Sequence, residues 1–507
     1  MLQWKLRGLL SIRPPAASWS LSWKAKWDFS SSNTVCDVNI FTGGGSAEAW
    51  CSIVGEEKLV IKGGHVVYDG RVVRADIEIS GGVVSRVARS IGGEPSVDAS
   101  GMIIMPCSID VHVHFRGLKQ SSKETVETGS RAACAGGVTA VLDMPNTDPP
   151  LDTVEVLLAK VSEARGRCYT DYTLAAGYSG DLGELEKLLS IGLPAVKLYV
   201  HELGEDRREV ADIIREAALA CARHGALLMI HPEARWLLRE GEAESPEEYC
   251  KLRPLEAELE AIRAVAEAIT PLAETPRVHL CHLTSAKSVS EALKLREQGI
   301  PVSTEVTPHH LLLSLEQAGA ECKVNPPLRS IAEVKGLQEA LAGGLVDVIA
   351  SDHAPHEAEK KKAFKDSPPG LPGVELTLVL VLDWALKQGI SPVEVAKWAS
   401  KKPARLLGIR DKGEIAEGME ADIVALSRGE YRIEEKSLYT KAKYTPFAER
   451  TVSVRVEMVF KRGAMVFERD VGVLEKPLGR LLLWDGEKLR PASWSLEKPS
   501  TSSQQPP

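Results

Sequence analysis

Two textures of apolar and polar residues alternate along this chain. Over residues 58–90, in KLVIKGGHVVYDGRVVRADIEISGGVVSRVARS, β-branched residues alternate with Gly- and Asp-containing turns, which predicts short strands and hairpins. The texture returns over 413–475, in GEIAEGMEADIVALS and VSVRVEMVFKRGAMVFE. Between these segments, apolar runs at 102–109, 138–144, 168–176, 195–200, 227–231, 278–283, 301–306 and 346–351 predict strands. Stretches such as 153–165, 205–223 and 254–269 instead repeat apolar residues at three- and four-residue spacing, as amphipathic helices do. Strands alternating with helices predict an α/β fold, a parallel (β/α)8 TIM barrel over 102–409, with a doubly wound open sheet as the alternative. The β-rich segments 58–101 and 410–478 are then expected to assemble one small β-sandwich-like domain from both sides of the barrel.

Five of the predicted strands end on residue types that bind metals or move protons. Successive strand side chains point to opposite faces, so His112 and His114 share a face and can offer two imidazoles to one ion. Lys197 in AVKLYV, His231 in LLMIHP, His282 in VHLCHLTS and Asp352 in VDVIASD each stand at the polar end of an apolar run. A barrel gathers its strand ends at one mouth and an open sheet spreads them, so these residues favour closure. His279 competes with His282 for the sixth strand. Three apart on a strand, they are expected on opposite faces, His282 at the site and His279 against a helix. A protonated Lys197 would repel a cation, but burial lowers an amine's pKa, and the neutral amine reacts with carbon dioxide. The resulting carbamate has two oxygens and can bridge two ions. The rival reading is a lysine that snorkels to solvent. Asp352 can bind metal and accept a proton from metal-bridged water, whose pKa zinc lowers to ~7. These parts describe a hydrolase acting on an amide-like carbonyl.

Composition narrows the setting. With 507 residues, 44% of them hydrophobic, the chain has room for a barrel, a smaller domain and tails. A net charge of −8 and a pI near 5.9 disfavour nucleic acid or an anionic membrane as a partner. No apolar run reaches the ~18 residues of a membrane span. The nine cysteines contain no C-x-x-C pair. Cys107, Cys134, Cys221 and Cys281 lie in apolar segments and read as reduced thiols of a cytoplasmic protein. Residues 1–57 stand apart as an N-terminal extension. Residues 1–27 carry Lys5, Arg7, Arg13, Lys24 and Lys26, with Trp4, Trp19, Trp23 and Trp27, and no acid. That composition fits a transit peptide, a disordered extension or translated sequence upstream of the natural start; disorder is the expectation. Residues 479–507 are expected to form a tail whose polar end, SLEKPSTSSQQPP, is disordered.

Over residues 58–475 the chain resembles the amidohydrolase superfamily and, within it, the dihydroorotases with a binuclear, lysine-bridged centre. The resemblance rests on D-V-H-V-H-F-R (110–116), K-E-T (123–125), A-G-G-V-T (135–139), M-P-N-T (144–147), K-L-Y (197–199) and H-P-E (231–233). Further along it includes C-H-L-T (281–284), T-P-H-H-L (307–311), N-P-P-L-R (325–329) and S-D-H-A-P-H (351–356). It implies that His112, His114 and Asp352 hold one ion and that His231 and His282 hold the other. Lys197, as N6-carboxylysine, would bridge them, and the ions would be two Zn2+ per chain or other divalent metals. Arg116, Asn146 and His356 would grip a substrate carboxylate, a task that suits guanidinium because its donors match two oxygens. Asn325 would bind the substrate ring, and the backbone at Pro369 and Gly370 would close over it.

The implied reaction is the reversible cyclisation of N-carbamoyl-L-aspartate to L-dihydroorotate in UMP synthesis, with Asp352 as general acid and base. Hydantoinases generally lack the arginine. Allantoinases typically differ at the position of Asn146 and lack the asparagine of N-P-P-L-R. Many dihydroorotases read R-E-P-G or R-D-P-G where this chain has Arg116-Gly117-Leu118-Lys119, which alters the first loop. The alternatives are another cyclic amidohydrolase (allantoinase, hydantoinase or dihydropyrimidinase) and a non-catalytic partner of aspartate carbamoyltransferase. The resemblance also allows a homo-oligomer and association with that transferase.

Overall fold

The structure is a computed structural model that describes residues 58–492 and, before them, the backbone of three strands. The chain divides into two compact units, residues 1–58 and 59–507. In the first, Ser22–Ala25, Cys36–Gly43 and Ser46–Ile53 pair antiparallel in one sheet. The disorder expected at 1–57 and at the C-terminal end otherwise concerns residues outside those described.

In the second unit, eight parallel strands follow one another in spatial order. They are β1 (Ser108–Val113), β2 (Val138–Asp143), β3 (Asp171–Ala176) and β4 (Ala195–Tyr199), then β5 (Leu227–His231), β6 (Arg277–Leu280), β7 (Val302–Val306) and β8 (Val348–Ile349). The ring is nearly closed. Val113 bridges His353, just past β8, and the His114 N–H donates to the His353 carbonyl at 2.8 Å. The chain thus forms the expected barrel, and the helices Val154–Ala164, Arg207–His224 and Leu255–Ile269 fall on the amphipathic stretches. Thr153 and Asp206 start the first two by accepting first-turn N–H groups. Strand alternation then sorts two cores. Ala195, Leu227, Met229 and Val348 fill the barrel interior, while Val196, Leu228, Ile230 and Ile349 pack outward with the helices.

The first strand departs from its expected bounds. The run at 102–109 splits: Ile103–Pro106 joins the flanking sheet, and the barrel strand begins at Ser108. Pro106 has no N–H to donate. Immediately after it the hydrogen bonds change partner, Cys107 donating to Asp422 and Ser108 to Gly137. Within β1, the four residues from Asp110 to Val113 span the three from Val141 to Asp143 of β2, a β-bulge. Ile109 and Val111 face the barrel interior before it, and Val113 and Phe115 face the helices after it. The bulge therefore aims His112 and His114 into the mouth, out of phase with the start of their own strand.

The flanking segments form one nine-stranded sheet. Ile103–Pro106 lies in it between Lys58–Tyr68 and Ile423–Arg432, so chain from both sides of the barrel shares the sheet. Ile61, Ile77, Ile104, Ile423 and Phe460 form its core. Residues 482–491, expected within a tail, instead form a hairpin of Leu482–Trp484 and Leu489–Pro491. Leu482 and Leu489 join the apolar cluster of the barrel interior. The Trp484 N–H donates to Gly192 at 2.7 Å, which places the hairpin at the N-terminal ends of the strands, the barrel foot.

Candidate metal and catalytic site

Alternation along the strands decides what reaches the mouth. Lys197 on β4, His231 ending β5, Cys281 after β6, Glu305 on β7 and Asp352 after β8 take inward positions in phase with the interior core. His282 is out of phase, because Cys281 takes the inward position. It reaches the mouth because the chain turns there with φ of 37°. Arg116 (φ 52°) and Asp352 (φ 45°) share this left-handed backbone. For residues other than glycine it costs about 1–3 kcal/mol, and such strain clusters at functional sites.

The six expected ligands converge. The His112 and His114 rings lie 5.2 Å apart, those of His112 and His282 5.4 Å, and those of His231 and His282 4.5 Å. Lys197 Nζ lies 3.5 Å from His112 Nε2 and donates to Cys281 Sγ at 2.9 Å. At 1% exposure Lys197 does not snorkel to solvent. Asp352 Oδ1 stands 3.0 Å from His114 Nε2 and 3.5 Å from His112 Nε2.

The donor set fits a cation. His112 Nδ1 donates to Glu305 Oε1 at 2.8 Å and His114 Nδ1 to Asn146 Oδ1 at 2.5 Å. Both Nε2 atoms and the Asp352 carboxylate lie within 4.8 Å of one another. Burial and Lys197 oppose protonation of His112, but Glu305 and Asp352 outweigh them and raise its pKa to about 10, so a cation bound there would displace its Nε2 proton. An imidazole fixed by its other nitrogen is how proteins orient a metal-ligating histidine. His231 Nε2 is held by Glu233 at 2.7 Å, and Glu233 by two bonds from Arg253. His282 Nδ1 is buried with no hydrogen-bond partner among the described residues. Burial above all pushes the His114 pKa down to about 4, and burial reinforced by His231 and Lys197 holds His282 well below its usual value. Both are therefore neutral, the form that coordinates, at pH 7. Burial opposes ionisation of Asp352, but His112 and His114 outweigh it and hold the carboxyl below its usual range.

The expected substrate residues surround this cluster. Arg116 is 6% exposed, and its Nε has no hydrogen-bond partner among the described residues. Its carbonyl accepts from Lys160 Nζ, which pairs with Asp143 at 3.0 Å and so anchors the loop to β2. Asn146 gives its carbonyl oxygen to His114, which leaves its amide N–H groups for another acceptor. The Asn325 oxygen accepts from the Tyr249 hydroxyl at 2.5 Å. His356 Nε2 donates to the Pro369 carbonyl at 3.0 Å, tying the Pro369–Gly370 turn to the segment after Asp352. Gly370 has φ of 129°, and a Cβ there would stand 2.4 Å from the Ala354 carbonyl, so no side chain fits.

Several residues of the site were not foreseen. Glu305 receives His112 Nδ1, the His282 N–H at 2.9 Å and His279 Nε2 at 3.0 Å. The available signal was an acid inside the run VSTEV, which a buried strand carries only with partners. His279 does not pack against a helix as expected: it lies on the inward face of β6, bonded to Glu305 and to Ser303 at 2.8 Å. Its partner, Glu305, is 26 positions away and beyond local spacing rules. The His201 ring lies tilted against that of His231 at 4.5 Å, and the Nε2 of His309 is buried without a partner among the described residues.

A parallel barrel whose mouth gathers imidazoles, an amine and carboxylates has the makings of a metal-dependent hydrolase. The amidohydrolase family model matches residues 103–466, and the chain belongs to that family. Within it the chain is a cyclic amidohydrolase by its relatives. It is 33% identical to a dihydroorotase of Methanosarcina mazei over 427 residues, covering 80% of this chain and 92% of that one. It is 30% identical to an allantoinase of Bacillus velezensis, covering 80% and 93%. Among solved structures, the L-hydantoinase (dihydropyrimidinase) of Arthrobacter aurescens matches with a TM-score of 0.77 and 25% identity, covering 84% and 99%. Among the described residues, no helix is long and apolar enough to cross a membrane.

Proposed function

We propose that this chain is a dihydroorotase, interconverting N-carbamoyl-L-aspartate and L-dihydroorotate in the cytoplasm. The observation that carries the reading is Arg116, a buried guanidinium whose Nε finds no partner among the described residues. A buried cation with unused donors calls for an anion, and dihydroorotate brings a carboxylate that hydantoin and dihydrouracil lack. Asn146 supports the same grip, since holding His114 leaves its amide donors free. His356, pushed down to about 3 mainly by burial and then by Arg116, is neutral and adds no competing charge.

His112, His114 and Asp352 would hold one divalent ion and His231 and His282 a second, with carboxylated Lys197 between them; zinc is the expected metal. Such ions polarise a ring carbonyl and supply hydroxide at neutral pH. Asp352 holds the proton in transit. Its Oδ1 faces the two imidazoles, and its other oxygen makes no hydrogen bond among the described residues. In hydrolysis that oxygen takes a proton from the attacking water and returns it to the departing amide nitrogen; in cyclisation the transfers reverse.

The competing reading is an allantoinase or hydantoinase, favoured by the relatives of those names. Against a purely non-catalytic role stands the convergence of all six expected ligands. A panel of dihydroorotate, allantoin, hydantoin and dihydrouracil tests the assignment. Turnover of dihydroorotate well above the others is expected; turnover of allantoin or hydantoin without dihydroorotate overturns it.

A further inference from the structure

The barrel foot carries a cavity of about 500 Å3, on the face opposite the mouth. A volume of that size suits a small-molecule ligand. Arg277, Lys401, Arg405, Arg410, Lys412 and Trp484 line it, in a chain whose net charge is −8. Three of these cations are already paired. Lys401 meets Glu414 at 2.7 Å and Arg410 meets Glu487 at 2.6 Å. Lys412 is shared by Asp171, Glu420 and Asp422. The other two have no acid among the described residues. Arg405 is exposed and makes no ion pair among the described residues. Arg277, the first residue of β6, is half-buried against the Trp484 ring at 5.4 Å. Among the described residues it donates only to neutral carbonyls, those of Leu406 at 2.8 Å and Gly225 at 3.0 Å. Burial pulls its pKa down, and no carboxylate counters that. A cation so placed without a counter-charge is unfavourable, and an anion from solution would relieve it.

We infer that this cavity is a binding site for a small polyanion bearing phosphate or carboxylate groups, held by Arg277 and Arg405 with Arg410 and Lys401 at its edge. Guanidinium forks match both oxyanions. The ligand enters from the foot, so its binding does not depend on which cyclic amide is turned over at the mouth.

The test is calorimetric titration of the metal-loaded full chain, at constant ionic strength, with fructose 1,6-bisphosphate in one arm and tricarballylate in the other. One-to-one binding in at least one arm is expected, and the arm that binds identifies the anion class. Arg405→Ala combined with Arg410→Ala should weaken binding about ten-fold or more while leaving turnover unchanged. Arg277→Lys, which keeps the charge but loses the fork, should weaken it less. Arg116→Gln, at the mouth, should leave binding intact. No binding in either arm overturns the inference. So does binding that survives the double variant or disappears in Arg116→Gln, since the anion would then sit at the mouth.

Discussion

The mouth of the barrel and the Asp171 cluster at its foot both bury many charges, and they treat most of them in opposite ways. Under β3, Asp171 is fully buried and meets Lys412 at 3.2 Å, Lys461 at 2.9 Å, Arg462 at 3.1 Å and Arg480 at 3.0 Å. These partners come from the flanking sheet and the segments around it, so the network fastens those segments to the barrel. Burial opposes ionisation of Asp171, but the four cations outweigh it and hold its carboxyl well below the usual range. At the mouth the charges are left open. Arg116 Nε, His282 Nδ1 and His309 Nε2 are buried without partners among the described residues, and Arg116, His282 and Asp352 keep a left-handed backbone. Closed networks hold a fold together, whereas open donors and acceptors are held ready for something that is not protein.

The largest expected effect is at the mouth. Lys197→Ala removes the proposed bridge and should lower turnover by about 10^3-fold or more, with loss of bound metal. Short carboxylic acids should restore part of it by supplying bridging oxygens. Metal analysis beside kinetics checks this, and two retained ions with full turnover would end the carbamate proposal. Arg116→Gln comes next. Losing one partner of a charge-assisted pair in a partly desolvated site costs ~2–5 kcal/mol, or roughly 30- to several-thousand-fold in kcat/KM. Because Arg116 is not among the expected ligands, both ions should stay bound; metal loss would make it structural, and unchanged turnover would place the carboxylate elsewhere.

The foot should answer on a different scale. Asp171→Ala leaves four cations without their shared anion and should destabilise the fold by about 3–5 kcal/mol in denaturant titration, with activity per folded molecule nearly unchanged. An equal loss of kcat/KM would break the comparison. The pH dependence has a definite sign. A carboxyl depressed in the folded state stabilises above its unfolded pKa of ~3.9, and that stabilisation is lost as pH falls through the lower folded value. The gap between wild type and variant should therefore be full at neutral pH and narrow below about pH 4. The smallest effect is expected from deleting residues 1–57, which supply none of the proposed ligands: activity should stay within a few-fold. An inactive or insoluble truncation would make the extension part of the working unit.

What the sequence settled was whatever depends on local periodicity. Strand and helix alternation specified the barrel, and the polar ends of the apolar runs marked His112, His114, Lys197, His231 and Asp352, because residue spacing fixes which side chains share a face. His282 was chosen over His279 because it lies nearer the C-terminal end of the strand, before Thr284 and Ser285, and parity then set His279 on the opposite face; in the structure a turn at φ 37° brings His282 in, while His279 also faces inward. Likewise, the alternation of His112 and His114 was legible, but a bulge against β2 decided that their face is the mouth. Glu305, which ties three histidines together, and Asp171, which ties the foot, draw their partners from distant parts of the chain. Those pairings are long-range contacts that no local spacing encodes, so only the closed barrel could decide them.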